Sequence, residues 1–308
     1  MQGDPRRTRA SQAWIDLDPT AIRRRIGFLL RQTQQVFHAA LVPELAALGV
    51  TPAEAEVATA LAARPGGFDQ IALARFLGLG LADLILIADG LEMKGLAART
   101  LAEHRRRTLV PTPRTHRLAR QADSIQDSAS AVLWAPILPA EADDLKEALL
   151  ALAHNGASDA PAWAPEGERL PLFERTDFLL RRSQQVLAAL FHEEASAFGL
   201  TMGEYGELAR IAAFASGGPS TLKLYAAARS SLAPTIKLLE ARGYIARRRD
   251  PLDRRRRTLA LEAGGAEVLR EMQPAVTRME TRFLAPLDAA GERFRDELAH
   301  LVRTHGAA

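Results

Sequence analysis

Apolar residues recur at helical spacing along most of the chain. Ile26, Leu30, Phe37, Leu41, Leu45 and Leu48 mark a long helix predicted over about 19–47, and a second long helix is predicted over about 172–198. Thr51-Pro52-Ala53-Glu54 opens the next helix. The threonine hydroxyl can accept the N–H three residues on, the glutamate can return the bond, and a proline in the first turn forfeits no helical donor. Thr201 with Glu204 repeats that box. Short helices are predicted at about 69–77 and 82–94, then at 219–228 and 230–242; the second of each pair ends at a glycine, Gly95 or Gly243. Two short β-type runs follow each pair around an arginine-rich turn, 97–101 with 108–111 and 244–249 with 257–261. Helices over 113–134, 140–153, 264–284 and 288–304 complete the pattern, with a kink expected at Pro274.

The same order of elements thus occurs twice, and the residues repeat with it. Phe28-Leu29-Leu30-Arg31 and Gln34-Gln35-Val36 recur as Phe178-Leu179-Leu180-Arg181 and Gln184-Gln185-Val186, a shift of 150. Leu91-Glu92 meets Leu239-Glu240 at a shift of 148, and Arg105-Arg106-Arg107-Thr108-Leu109 meets Arg255-Arg256-Arg257-Thr258-Leu259 at 150 again. Ordered matches with small insertions imply duplication. The expected organisation is one repeat over 13–154, a Gly-, Ser- and Pro-bearing linker over 155–171, and a second repeat over 172–305. A flexible linker of about 17 residues spans on the order of 22 Å.

Composition narrows the function. The balance of 47% hydrophobic and 25% charged residues is that of a chain with a real core, and 6% aromatics with abundant Ala and Leu favour helices. The formal charge of +3 is mild, but the bases are 36 Arg against 4 Lys, and arginine suits phosphate forks and base edges. The absence of cysteine excludes disulfides and thiolate metal sites. No apolar run reaches membrane-spanning length, and Met1 to Gln12 is basic without an apolar stretch, so a cytoplasmic location and no membrane partner are expected.

Two short helices followed by an arginine-rich hairpin form the pattern of a winged helix-turn-helix, whose second helix can enter the major groove while the hairpin reaches phosphates or the minor groove. Leu239-Glu240-Ala241-Arg242-Gly243-Tyr244 with the turn Asp250-Pro251-Leu252-Asp253-Arg254-Arg255, the run Leu259-Ala260-Leu261, and Gly265 resemble the recognition helix and wing of the multiple antibiotic resistance regulator (MarR) family. The resemblance implies a mainly α fold of two winged helix-turn-helix domains with a helical dimerisation-type bundle, here an intramolecular pseudo-dimer and therefore a monomeric chain. Double-stranded DNA is the implied partner, and a small aromatic or phenolic molecule the implied effector.

The candidate DNA-contacting residues are Arg229, Ser230, Ser231, Thr235 and Lys237 near the start of the second recognition helix, with Arg248, Arg249, Asp253, Arg254, Arg255 and Arg256 on its wing. Asp253 can hold Arg254 or Arg255 in one rotamer, so that a guanidinium is presented to a narrow groove. In the first repeat Arg105, Arg106 and Arg107 remain, but His104 replaces the aspartate, and the helix carries Asp83 and Asp89 with no base. That copy either reads a different half-site weakly or has taken a structural role; the second repeat is expected to be the main reader. For the effector, the resemblance points to Trp14, Phe28, Arg31, Gln35 and His38, with Arg181 and Gln185 as counterparts. An acidic effector would want Arg31 or Arg181.

Catalysis is not expected. The seven histidines are scattered, no zinc-protease, nucleophile-elbow or phosphate-loop pattern occurs, and no metal or cofactor is implied. The rival reading is a winged-helix interaction protein that has lost specific DNA binding.

Overall fold

Thr51 and Glu54 form the predicted reciprocal cap: the Glu54 N–H donates to Thr51 Oγ1 at 3.2 Å and the Thr51 N–H donates to Glu54 Oε2 at 2.8 Å. Thr201 and Glu204 do the same, at 3.2 and 2.8 Å. These bonds satisfy N–H groups that a helix start leaves without an internal partner. A computed structural model of the chain describes residues 19–101, 107–154, 171–215, 229–249 and 257–306.

Within those residues the elements are α1 (Pro19–Arg23), α2 (Ile26–Ala47), α3 (Pro52–Ala62), β1 (Phe68–Asp69), α4 (Gln70–Leu77), α5 (Leu81–Met93), β2 (Ala97–Leu101), β3 (Arg107–Pro111), α6 (Pro113–Trp134) and α7 (Pro139–Ala153). There follow α8 (Thr176–Ala195), α9 (Met202–Ala215), α10 (Arg229–Ala241), β4 (Ile245–Arg249), β5 (Arg257–Leu261), α11 (Ala263–Leu284) and α12 (Gly291–Gly306), with 3₁₀ turns before α8, after it and before α12. The fold is mainly helical with two small antiparallel sheets. The first long helix departs from expectation by breaking at Arg24–Arg25, and the 3₁₀ turn Ala285–Ala290 precedes a shorter last helix. Helix α11 continues through Pro274. The helix expected over 219–228 lies outside the described residues.

The chain divides into two compact units, and the division falls inside α2, α8 and α12. One comprises residues 32–186 with 300–305. Its sheet has the order β1-β3-β2, with Phe68 opposite Leu109 and Ala97 opposite Pro111. Phe68, Phe76 and Phe178 stack in sequence, at 6.0 and 6.5 Å between ring centroids. Leu41, Leu61, Leu84 and Leu145 are fully buried in this unit.

The described part of the other unit comprises 19–31, 187–215, 229–249, 257–299 and Gly306. Its sheet is the hairpin β4–β5, running from Ile245 opposite Leu261 to Arg249 opposite Arg257. Leu208, Leu239, Met272, Phe283 and Leu298 are buried without exposed surface. The turns from α5 and α10 into the strands both use a left-handed glycine, Gly95 at φ 66° and Gly243 at φ 70°, a conformation that costs a glycine little.

Candidate nucleic-acid interface and ligand pocket

In the unit of residues 32–186, α5 leads into the hairpin β2–β3. Arg99 on β2 is folded back onto that helix. Its guanidinium pairs with Asp89 at 2.6 Å and with Glu92, and donates to the Ile85 carbonyl at 3.2 Å. The helix exposes apolar surface instead of bases: Leu86 is 69% and Met93 84% exposed. Arg107 opens β3 with its side chain exposed, whereas Arg105 and Arg106 lie outside the described residues.

In the other unit α10 leads into β4–β5 in the same way. Leu239 is buried and anchors the helix, Thr235 is half-buried and Lys237 is exposed. Arg229, Ser230 and Ser231 occupy the first turn. At the shift of 148 that aligns Leu91-Glu92 with Leu239-Glu240, exposed Lys237 stands where the first copy has Asp89. Arg247 pairs with Glu240 at 2.8 Å, as Arg99 does with Glu92, and exposed Arg248 pairs with Glu262 at 2.8 Å. Arg249 ends β4 opposite Arg257, the first residue of β5. Asp253, Arg254, Arg255 and Arg256 lie outside the described residues.

The same unit contains a pocket with about 570 Å³ of atom-free space, part of it open to solvent. Ile22, Phe28, Phe191, Met202, Val276 and Met279 form its apolar walls. The Phe191 and Tyr205 rings meet at 5.4 Å and 40°. Burial pushes the Tyr205 hydroxyl up to about 12, with Arg25 opposing and Glu280 adding to the shift, so the phenol stays protonated at neutral pH.

Three arginines line this pocket, and they differ in what they hold. Arg25 pairs with buried Glu280 at 3.0 Å, and Glu280 also accepts from the Ile26 N–H at 2.8 Å and from Arg295 at 3.2 Å. Those partners satisfy a carboxylate that would otherwise be costly to bury. Arg210 is forked onto Glu207 of its own helix, its Nε at 2.8 Å. Arg31 has neither a carboxylate nor a hydrogen-bond partner among the described residues, and lies beside Gly206.

Of the effector residues expected from sequence, Phe28 and Arg31 line the pocket, while Gln35, His38, Arg181 and Gln185 belong to the other unit and Trp14 lies outside the described residues. Arg181 pairs with Glu56, donates to the Leu77 carbonyl at 2.6 Å and lies over the Phe178 ring. Gln185 donates to the Gly78 carbonyl at 2.7 Å. Burial pushes the His38 imidazole below its ordinary value, against an opposing attraction from Asp177. Sequence reasoning missed Arg25, Tyr205 and Glu280. Arg25 and Glu280 stand 255 positions apart, and no periodicity joins them. Among the described residues no cluster of His, Asp and Glu is placed to hold a metal, and no single helix is long and apolar enough to cross a membrane.

No protein-family model and no curated protein matches the sequence. Among solved structures, a MarR-family transcriptional regulator from Rhodococcus sp. RHA1 aligns at 24% identity and a TM-score of 0.41, over 45% of this chain and 95% of its own. CouR from Rhodococcus jostii RHA1, bound to p-coumaroyl-CoA, aligns at 25% identity and 0.39, over 42% and 91%. A MarR-family protein of Mycobacterium tuberculosis, in complex with DNA, aligns at 23% identity and 0.35, over 40% and 93%.

Proposed function

We propose that the protein is a sequence-specific DNA-binding transcriptional regulator built from two fused winged-helix repeats, residues 13–154 and 172–305 joined by 155–171, and folded as a single-chain pseudo-dimer. Its action is repression, released by a small aromatic or phenolic effector, with the second repeat as the main reader. The observation that carries this reading is the passage of α10, with exposed Lys237, directly into a hairpin whose strand β4 bears Arg247, Arg248 and Arg249, with Arg254, Arg255 and Arg256 in the sequence that leads on to β5. A helix of that kind presents base-edge donors in a major groove, and the hairpin supplies guanidinium groups to the backbone beside it.

The pocket supports the effector half of the reading. Phe28 and Phe191 offer rings to an aromatic body, and Arg31 offers a forked donor to an acid group. Such a ligand shifts DNA affinity only as far as it binds the DNA-free and DNA-bound conformations differently.

The test is a selection of bound duplexes from a random library, followed by titration of the selected sequence across salt concentrations. With about six phosphates neutralised, log affinity falls against log salt with a slope near −5. A second reading, a winged-helix interaction protein without specific DNA binding, is favoured by the exposure of Ile71, Leu81, Leu86 and Met93 on α4 and α5. Failure to bind any duplex at low salt selects it.

A further inference from the structure

The two units differ at the place where Arg31 stands, unpartnered among the described residues. At the shift of 150, Arg31 corresponds to Arg181 and Gly206 to Glu56. Each arginine is packed against the helix that follows the capping box. Arg181 lies against Glu56 and is paired with its carboxylate, which is buried. Arg31 lies against Gly206, where a side chain as small as a single carbon would stand 3.1 Å from its Nη2. The carboxylate present in one unit is therefore missing from the other, at the corresponding step of the corresponding helix. Open space takes its place.

The surroundings follow the same division. Around Arg181 the unit of residues 32–186 is filled with its own polar bonds: Gln126 donates to Asp177, and buried Arg175 donates to Thr59 at 2.6 Å and to Asp123 at 3.1 Å. In the other unit Val276 stands for Gln126 and Gly27 for Asp177, which removes that one bond and leaves apolar wall, while Arg25, the counterpart of Arg175, is bonded to Gln273 and Glu280 instead. Arg31 is half-buried in this apolar lining, where water screens a guanidinium less than at an open surface and an anion is correspondingly favoured beside it.

We infer that the chain carries one effector site and not two: Glu56 is a built-in occupant beside Arg181 in the unit of residues 32–186, and the acid group of a carboxylate ligand takes the corresponding place against Arg31 in the other unit. The inference rests on the effector reading above and adds to it the stoichiometry, the acid group and the residue that fills the corresponding place in the other unit. Glu56 shows what Arg31 lacks. The fork that Arg181 extends to a side-chain carboxylate is extended by Arg31 to a free one, with the aromatic or aliphatic body of the ligand directed to the apolar walls.

The test uses 4-fluorobenzoate as the probe, with the full chain, and counts bound fluorine by ¹⁹F NMR at saturation. The wild type should bind one probe per chain. Arg31→Met should weaken binding at least tenfold. Gly206→Glu, which places beside Arg31 the carboxylate that Glu56 places beside Arg181, should abolish binding while the thermal unfolding midpoint is kept. The backbone at Gly206 is not left-handed and the three atoms nearest a new Cβ all belong to the flexible Arg31 side chain, which can give way. Two probes per wild-type chain would overturn the single-site inference and leave the effector reading standing. No binding to the wild type would overturn both, and undiminished binding to Gly206→Glu would show that the acid group does not sit against Arg31.

Discussion

The ammonium of Lys94 straddles the carboxylate of Glu54, 2.8 Å from Oε1 and 2.7 Å from Oε2. The same carboxylate closes the cap of α3, so one side chain ties the start of that helix to the end of α5. In the second copy Arg242 replaces Lys94 and donates instead to the Gly199 carbonyl at 2.8 Å. The carboxylate link is thus peculiar to the first copy.

A pH dependence follows. Burial raises the Glu54 carboxyl, but the bonds from Lys94 and Thr51 outweigh it and hold the group below its ordinary value. A depressed folded value means that the unfolded chain takes up the proton first as pH falls. The stabilisation is therefore complete above the ordinary glutamate value, about 4.3, and is lost as pH falls through the folded one. Glu54→Gln keeps a side chain that can complete the cap but loses the charge. It should cost about 1 kcal/mol at pH 7 and less at pH 3, because hydrogen bonds to charged groups exceed neutral ones by about that much. Urea unfolding of both proteins at the two pH values checks it; a cost that does not change with pH would show that Lys94 contributes nothing.

The start of α11 is fixed by a close approach. A Cβ on Gly265 would stand far inside contact distance of the Tyr244 carbonyl oxygen, whereas one on Gly264 would meet nothing nearer than 3.6 Å. Both residues are helical, where alanine is ordinarily favoured over glycine by about 1 kcal/mol. Gly264→Ala should therefore be neutral or slightly stabilising, while Gly265→Ala should lose about 1–3 kcal/mol through forced backbone movement. Because Tyr244 precedes β4, Gly265→Ala should also weaken DNA binding more than its stability loss explains. Equal unfolding midpoints for the two variants would contradict the close approach.

What the sequence disclosed, and what it hid, divides along physical lines. Caps, helix stripes and hairpins are local: Thr51 with Glu54, and the alternation before and after each arginine-rich turn, act within a few residues and were legible. The break at Arg24–Arg25 was not legible, because the apolar stripe continues on either side of it. The pocket was legible only in part. Phe28 and Arg31 stand out because the motif around them is repeated, but repetition cannot tell which copy is open. That depends on Gly206 against Glu56, two residues after the capping glutamate that the two helices share, and on Glu280, which reaches Arg25 across most of the chain.

The proposed single-chain pseudo-dimer fixes the mass of the particle. Light scattering at micromolar concentration should return one chain, near 33.5 kDa. A stable mass of twice that value would mean that two copies of the chain assemble, with four hairpins in the particle, and would remove the single-chain arrangement.

The two recognition helices should contribute unequally to DNA binding. Lys237 is exposed on α10, while the matching Asp89 on α5 is engaged with Arg99. A carboxylate directed at phosphate opposes binding, whereas a lysine ammonium can donate to guanine O6 and N7. Lys237→Ala should therefore cost about 1–3 kcal/mol on the selected duplex and much less on a scrambled one, since a base contact carries sequence preference. Arg107→Ala, at the exposed start of β3, should weaken both duplexes alike and reduce the salt slope by about 1, the signature of a phosphate contact. Asp89→Ala separates the two copies further. If α5 does not approach DNA, removing its acid should leave affinity for either duplex unchanged; if α5 faces phosphate, affinity should rise for both. The measurement is a parallel titration of the three variants on selected and scrambled duplexes at two salt concentrations. A loss confined to the selected duplex for Arg107→Ala, with none for Lys237→Ala, would assign base readout to the first copy and reverse the proposed order.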